Sequence, residues 1–489
     1  MFKAMLRLIK HSAVYGTGYV LSRALMFFLL PVHTNFLSKA EYGVVTQLYA
    51  FIGIGAILYS LGLNTAEIQF YIREQDGKKR KELFSTAFYT TLVWSLCLSA
   101  LLVVFRMKLS VLFFHDGLYR NLLPLAACIL CFDVMALLGY NVQRAEEKSS
   151  AYALIHILHV AVNVACTFLF VVKHTMGPEG VFLANCIASA AAFISLSPVI
   201  RRLLVKMFSP SVLKRMLLFG LPFVPSILCL VLINVIDRFF ITHMLGLEAA
   251  GIYGAGYKLG MIINLIVVGF SYAWHPFYLS MADDPKAKKL FGTVLTSFLL
   301  LCTVVFLLVT FNLNSIIRFS IGGITFFGKE FWDASAVVPV ILLSYIVYGS
   351  VLIFQTGIYL KEKTTCLMLI SGSGAVINIA GNAVLIGRLG IMGAAVSTFF
   401  SFATMAVMSY IIAQRYLRVV YNFPRIVHMA VPAAALYGLY AADLVHVGPW
   451  YGIVLVAGYL LILLITGFFS REEIRSIQMV LARLWQRYH

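Results

Sequence analysis

The sequence contains little charge and few acidic residues. Of its 489 residues, 12% are charged and 61% are hydrophobic, with 20 Asp and Glu against 38 Lys and Arg. Soluble domains carry about 25% charged residues, so a water-soluble fold would have too few charges to cover this much apolar surface. The composition excludes a soluble enzyme, a disordered chain and a nucleic-acid-binding protein as descriptions of the whole chain.

The sequence also lacks the motifs of metal and nucleotide sites. Its eight cysteines lie in apolar segments, and Cys128 and Cys131 form one isolated CxxC motif, whereas zinc needs further ligands at set spacing. The segment from Gly323 to Lys329 has the spacing of a phosphate-binding loop, but Glu330 stands where that loop has Ser or Thr. We therefore interpret the cysteines as packing residues and expect no metal, no cofactor and no ATPase activity.

Apolar segments of the length that crosses a bilayer as a helix, ~20 residues, account for most of the chain. Their connections are short and leave no room for a soluble domain. The sequence predicts an all-α polytopic membrane protein with about fourteen transmembrane helices. We number the segments spans 1 to 14, at residues 11–36, 42–72, 82–105, 121–143, 150–172, 180–200, 215–242, 250–279, 290–312, 332–358, 366–386, 391–413, 426–444 and 449–469.

Basic residues fall unevenly on the two sides of this predicted membrane. With the N-terminus in the cytoplasm, the segments on that side hold 27 Lys and Arg and the opposite side holds 8, as the tendency of basic residues to stay in the cytoplasm requires. Three more, Arg23, Arg238 and Lys258, lie inside spans. The bias predicts cytoplasmic N- and C-termini and explains the net charge of +18 without nucleic acid.

Two parts of the chain repeat one another. Residues 70–86 match residues 277–293 at an offset of 207 with eight identities, and Asn163 matches Asn378 at an offset of 215. Spans 1–6 therefore correspond to spans 7–12. Because six is an even number, both halves enter the membrane from the same side. We expect two pseudo-symmetric lobes related by an axis along the membrane normal, with a site between them near the mid-plane.

The repeat sets the predicted domain boundaries. The first lobe contains spans 1–6, the second contains spans 7–12, and the remainder contains spans 13 and 14 followed by a tail whose apolar residues share one helix face, typical of an interfacial helix. The boundaries are residues 1–210, 211–415 and 416–489.

Several segments resemble a known family. They are YGTGYVLSRALMFFLLPVHTNFLSKAEYG at residues 15–43, VIDRFFITHMLGLEAAGIYGAGYKL at 235–259 and YAWHPFY at 272–278. They look like the first, seventh and eighth helices of bacterial polysaccharide transporters, the Wzx-like O-antigen flippases. This family shares a superfamily with the multidrug-and-toxin exporters and the lipid II flippase, so the resemblance implies a fold like that of the multidrug-and-toxin exporters.

The resemblance implies a function in assembling surface polysaccharide such as the O-antigen of lipopolysaccharide. The protein would move an undecaprenyl-pyrophosphate-linked oligosaccharide from the cytoplasmic to the outer leaflet of the bacterial inner membrane, by alternating access of two lobes. It would not be an enzyme. Its partners would be this glycan, the membrane lipids, and a polysaccharide polymerase with its chain-length machinery. The alternatives are an ion-coupled exporter of organic cations and, third, a membrane glycosyltransferase or polymerase, which would need a large outer loop.

Ionisable residues inside the spans cost about 2.5–3.5 kcal/mol each on insertion scales, so each needs a function or a partner. Arg23 lies near mid-depth in span 1, with Tyr15 and Tyr19 on the same slowly turning helix face, and Lys258 lies in span 8 beside Tyr257. A pyrophosphate favours Arg and Lys in a low-dielectric cavity. Basic residues on helices 1 and 8 serve this purpose in the related lipid II flippase, which makes these five residues the candidate ligands for pyrophosphate and sugar.

The other buried charges are candidates for coupling or for structural roles. Asp133 in span 4 is level with Arg23 and offers it a structural partner. Asp237 and Arg238 are adjacent in span 7 and point about 100° apart, so we expect that they do not face each other. Arg238 would then extend to the membrane interface, and Asp237 would accept a hydrogen bond within its lobe. Glu67, near the cytoplasmic end of span 2, fits a solvated rim position.

Overall fold

In a computed structural model of the chain, residues 27–281, 284, 287–363, 365–442 and 451–469 are described, and they are almost entirely helical. The helices are α1 Leu29–Phe36, α2 Lys39–Ser60, α3 Leu63–Arg73, α4 Gly77–Val104, α5 Arg106–Phe114, α6 Leu122–Ala145, α7 Ser149–Thr167, α8 Gly177–Leu203, α9 Pro210–Gly220, α10 Phe223–Leu245, α11 Leu247–Gly260, α12 Ile262–Ser280, α13 Ala287–Phe311, α14 Leu313–Arg318, α15 Val338–Phe354, α16 Thr356–Leu360, α17 Thr365–Leu389, α18 Ile391–Tyr416, α19 Phe423–Ala441 and α20 Tyr451–Ile465.

Eleven helical segments of the described chain are long and apolar enough to cross a membrane. Each of the predicted spans 2 to 12 overlaps one of them, and α19 and α20 overlap spans 13 and 14. Most of span 1 lies outside the described residues, and α1 forms its end. The prediction of an all-α polytopic fold is confirmed.

Local sequence signals explain where several helices begin and break. Ser38 and Glu41 form a reciprocal capping box that starts α2, which satisfies two backbone N–H groups at the helix start. The apolar segment 42–72 is not one helix, because Leu61 and Gly62 have positive φ angles of 50° and 70° and divide it into α2 and α3. Segment 250–279 is likewise divided, into α11 and α12.

Residues paired by the 215-residue offset adopt the same local structure. Glu147 and Glu362 both have left-handed backbones, with φ of 56° and 55°. The next amide donates a hydrogen bond to the carbonyl five residues earlier in each case, from Lys148 to Gln143 at 2.9 Å and from Lys363 to Ile358 at 3.0 Å. Both turns therefore have the hydrogen bond of a Schellman helix end, which the sequence match alone does not require.

The described helices form two compact units. One contains the described parts of residues 1–282 and 320–417, and the other those of 283–319 and 418–489. In the first unit a hydrophobic core joins α3, α4, α6, α8 and α9. In the second, α13 packs against α19 and α20. The boundaries predicted at residues 210 and 415 stay a prediction.

A short hairpin occupies the segment that has phosphate-loop spacing. Strand β1, Ser320–Ile321, pairs antiparallel with β2, Ile324–Thr325. The two residues between them, Gly322 and Gly323, have φ of 59° and 85°, as the commonest two-residue hairpin turn requires. The strand–loop–helix context of a phosphate-binding loop is therefore not present at this position.

Candidate substrate site

The two halves of the repeat meet where α2 crosses α11. A β-carbon on Gly43 would overlap the carbonyl oxygen of Leu247, and one on Gly251 would overlap that of Lys39. The absence of side chains at these two glycines lets the helix backbones touch. We call this contact the α2–α11 seam. It lies at the end of the bundle that the charge bias predicts to face outward.

Hydrogen bonds extend the seam to neighbouring helices. Thr46 in α2 donates to the Ala250 carbonyl at 3.4 Å, and Thr242 in α10 donates to Gln47 in α2 at 3.2 Å. At the end of α1, the Asn35 amide donates to the Thr325 carbonyl of the hairpin at 2.6 Å. Spans 1 and 2 are thus attached to residues of the second half at this end, and the backbones of Gly62 and Gly220 touch at a second place.

A polar network lies within the bundle on α10 and α11. Asp237 is fully buried. One carboxylate oxygen lies 2.8 Å from Nη1 of Arg238, and the other accepts the Tyr253 hydroxyl at 2.5 Å. Nη1 of Arg238 also donates to the Asn234 carbonyl. The guanidinium lies over the Tyr257 ring, with its carbon 4.3 Å from the ring centroid, a distance typical of a cation–π contact.

The network continues into α15. The Tyr257 and Tyr345 hydroxyls are 2.8 Å apart, and Tyr345 donates to the side-chain oxygen of Asn234 at 2.9 Å. Tyr253, Tyr257 and Tyr345 are each buried. Buried hydroxyls cost free energy unless they are paired. These bonds therefore hold α11 and α15 against α10, which carries Arg238.

Two expectations about this pair are wrong. Asp237 and Arg238 do face each other, and Arg238 does not extend to the membrane interface, because 11% of its side chain is exposed. The three-carbon stem of arginine spans the angle between adjacent helix positions, so the 100° separation of the Cβ atoms does not hold the charged groups apart. Asp237 does accept a hydrogen bond within its half of the repeat, from Tyr253.

Lys258 follows Tyr257 on α11, turned about 100° from it around the helix, and lies near α1. It is partly exposed and close enough to His33 to act on it electrostatically. His33 is 2% exposed, and within the described residues neither of its ring nitrogens has a hydrogen-bond partner. The His33 ring also packs against Tyr42, with centroids 5.8 Å apart. A predicted ligand and a buried imidazole therefore share the junction of α1 and α11.

The two remaining acidic candidates differ from one another. Glu67 is fully buried and accepts the Asn141 amide at 2.9 Å, so its interpretation as a solvated rim residue is wrong. The chain changes direction at Gly62, and α3 then packs in the same hydrophobic core as α6 and α9. The Asp133 side chain is exposed. Its predicted pairing with Arg23 lies outside the described residues, as do Arg23, Tyr15 and Tyr19 themselves.

Sequence reasoning missed Asn234, Tyr345 and His33. Asn234 precedes Arg238 by four positions, so the two share a helix face, and this spacing is the signal that could have found it. Tyr345 is 111 residues from Asn234, and no local pattern indicates their contact. In the described part of the chain, no group of three or more His, Cys, Asp or Glu could hold a metal ion.

Comparison with known proteins gives consistent matches. The family model described as "Polysaccharide biosynthesis protein" matches residues 8–282. Protein 1 of the Lsg locus of Haemophilus influenzae is 23% identical over 313 residues, which are 60% of this chain and 72% of that protein.

Two kinds of solved structure share the fold. "Lipid II flippase MurJ, inward closed conformation" has a TM-score of 0.78 and 14% identity, and the match covers 94% of this chain and 99% of that one. An inward-facing multidrug resistance MATE family transporter of the MOP superfamily has a TM-score of 0.61 and 14% identity, over 82% and 94%. With the apolar helices, these matches show a multi-pass membrane protein with the transporter fold.

Proposed function

Because the chain belongs to the polysaccharide biosynthesis protein family, we propose that it is a flippase for a lipid-linked glycan. Its cargo would be an undecaprenyl-pyrophosphate-linked oligosaccharide, and it would move this cargo from the cytoplasmic to the outer leaflet of the bacterial inner membrane. The fold it shares with "Lipid II flippase MurJ" supports the proposal, because that protein is by its name a flippase of a lipid. The glycan would then pass to a polysaccharide polymerase and its chain-length machinery.

The observation that carries the proposal is the depth of two basic side chains. Arg238 lies seven residues before the end of α10, and Lys258 lies eleven residues after the start of α11. At 1.5 Å per residue, these positions are about 10 Å and 16 Å from the helix ends at the α2–α11 seam. Basic groups inside a bilayer-spanning bundle are costly and mark functional positions. A pyrophosphate is an anion that would use them.

In the proposed alternating-access cycle, the seam would be the contact that closes the outer end. In this structure the two halves of the repeat touch at the predicted outer end, through backbone contacts and the hydrogen bonds of Thr46 and Asn35. Release of the glycan to the outer leaflet would separate these contacts. Arg23 on span 1, with Tyr15 and Tyr19, would meet the headgroup together with Lys258 and Tyr257.

Flipping by the purified protein in liposomes tests the proposal. We expect lipid-linked oligosaccharide to become accessible to an external lectin with the wild-type protein. Lys258→Ala should slow this at least tenfold, because a cation that holds the headgroup is lost. Lys289→Ala, at an exposed position in α13, is the matched control and should flip normally. Normal flipping by Lys258→Ala would show that Lys258 does not bind the headgroup. A wild-type protein that exports organic cations and leaves the glycan lipid in place would favour the exporter alternative.

A further inference from the structure

Two histidines from opposite halves of the repeat lie together at the predicted outer end of the bundle. His115 follows the last residue of α5, and His243 lies in the last turn of α10. Their ring centroids are 5.2 Å apart, and both residues are exposed. Because His115 and His243 are 128 positions apart in the sequence, no local spacing indicates that they meet.

The two imidazole rings line one cleft with a volume of about 270 Å³. Phe113 packs against Phe239 with ring centroids 5.7 Å apart, which brings α5 against α10 beside the histidines. Gln47 of α2 is buried and also lines the cleft, and its side-chain oxygen accepts the Thr242 hydroxyl at 3.2 Å. Since a water molecule takes up about 30 Å³, the cleft has room for a metal ion with bound water.

The separation of the two rings matches that of two imidazoles bound to one metal ion. A zinc–nitrogen bond is about 2.0–2.1 Å long, so a zinc ion lies about 3.2 Å from the centroid of each imidazole that binds it. Tetrahedral geometry then places the two centroids about 5.2 Å apart, as they are in His115 and His243. Both residues also stand at helix C-terminal ends, where unpaired carbonyls favour a positive charge.

We propose that His115 and His243 bind a divalent transition-metal ion such as Zn²⁺, which joins the two halves of the repeat at the outer end. Imidazole nitrogen suits zinc, copper and nickel, whereas Ca²⁺ and Mg²⁺ prefer oxygen ligands. Water and the Gln47 oxygen complete the coordination. Because two imidazoles are fewer than the three or four protein ligands of most zinc sites, the ion binds reversibly.

The effect of this ion on transport rests on the proposed function. In that cycle the outer end opens to release the glycan, which separates the two halves at their outer contacts. An ion shared by α5 and α10 binds only while these helices are together. It therefore stabilises the closed outer end and inhibits flipping, because a ligand shifts an equilibrium towards the state that it binds.

Zinc binding by the purified protein, carrying an affinity tag without histidine, tests the site. Calorimetric titration with ZnCl₂ should show binding by the wild type, and His115→Ala should weaken it about tenfold or more because one of two imidazole ligands is lost. His174→Ala is the matched control, since His174 is another exposed residue at the predicted outer end, and it should bind zinc like the wild type.

A second variant separates a metal ligand from a packing residue. His243→Phe keeps a ring beside His115 but has no nitrogen, so it should unfold at the wild-type temperature without zinc and also bind zinc about tenfold more weakly or worse. Added zinc should raise the unfolding temperature of the wild type and of His174→Ala only. If the wild type binds no zinc, or if His115→Ala and His243→Phe bind it as tightly as the wild type, the inference is overturned.

Flipping in liposomes, with zinc on both sides of the membrane, measures the effect on transport. Zinc at about 100 times its measured Kd should slow the wild type about tenfold or more, and a chelator should restore the rate. His115→Ala and His243→Phe should flip equally well with and without zinc. Equal inhibition of all three proteins, or a zinc-bound wild type that flips normally, overturns the inference. If the wild type flips no glycan even without zinc, the proposed function is contradicted, while the titration still decides the metal site.

Discussion

Asn163 and Asn378, 215 residues apart, have the same hydrogen-bonding pattern. Both are buried, and the amide oxygen of each accepts a bond from the side chain four residues later, from Thr167 at 3.3 Å and from Asn382 at 3.0 Å. In the described residues, the amide nitrogen of each has no partner. The two halves of the repeat thus share a polar detail of their interiors as well as their helix order.

This equivalence predicts equal effects of substitution. Asn163→Ala and Asn378→Ala should each lower the free energy of unfolding by about 1–2 kcal/mol, because each leaves a buried donor on the next turn without its acceptor. Thermal unfolding in detergent measures both changes. The change at the exposed Asn121 (Asn121→Ala) is the control and should be near zero. A large effect at one position and none at the other would show that the two environments differ in solution.

Locking the seam should stop transport. Cysteines introduced as Asn35→Cys and Thr325→Cys join the end of α1 to the hairpin, where the native side chain and backbone are in contact. A short bifunctional reagent should abolish flipping, and a reagent with a reducible bond should allow recovery. Cysteines at Ser110 and Asp116, which contact each other within one half, are the control pair and should not affect transport. Full flipping by the cross-linked Asn35–Thr325 variant would mean that this contact does not open.

Glu146 should make the stability of the folded protein depend on pH in the acidic range. It lies between α6 and α7 and accepts hydrogen bonds from Arg202 and Tyr71 at 2.5 and 2.9 Å, with Lys148 at 2.7 Å. Partial burial opposes its ionisation, but these partners outweigh burial and lower its pKa from 4.5 to about 2. Because the folded pKa is below the unfolded one, the stabilisation is complete above pH 4.5 and is lost as the pH falls towards 2.

The measurement is the unfolding temperature as a function of pH. At neutral pH, Glu146→Gln should cost about 1–2 kcal/mol, since Arg202 and Lys148 are about half exposed and water screens the attraction. The difference from wild type should shrink as the pH falls below 4.5. Glu330→Gln, at an exposed position, should show no such trend. A constant difference across this pH range would mean that Glu146 is not the titrating group.

Membrane potential alone should sustain flipping. In the proposed function, an anionic headgroup would move outward from a negative interior, and each uncompensated charge would gain about 2.3 kcal/mol per 100 mV. A dianion would gain roughly 4–5 kcal/mol, which biases transport more than a thousandfold. Part of this gain is lost if the basic residues of the protein move with the cargo and must return against the same field. The test applies a potassium diffusion potential to liposomes at equal pH on both sides. Flipping that ignores the potential, follows a pH gradient and is lost in Asp133→Asn would show proton antiport instead.

The sequence predicted those features that depend on periodicity and composition. Hydropathy located spans 2 to 12 because a bilayer imposes one length on every helix that crosses it. Side-chain geometry was harder to predict from the sequence. The pairing of Asp237 with Arg238 depends on a flexible stem folding back, and the burial of Glu67 depends on a helix break at Gly62. The bond from Tyr345 to Asn234 joins residues that only the packed bundle brings together. Arg23, Tyr15 and Tyr19 stay predictions.

The α2–α11 seam also bears on how such a transporter diversifies. The closest part of the contact is made by backbone atoms at Gly43 and Gly251, so in the proposed cycle closure there would depend little on the side chains that face the interior. Mutations that adapt the interior to a new sugar would therefore leave this surface intact. If the proposed function holds, such a transporter could change its cargo through single substitutions, because each variant would keep the contact that closes the site.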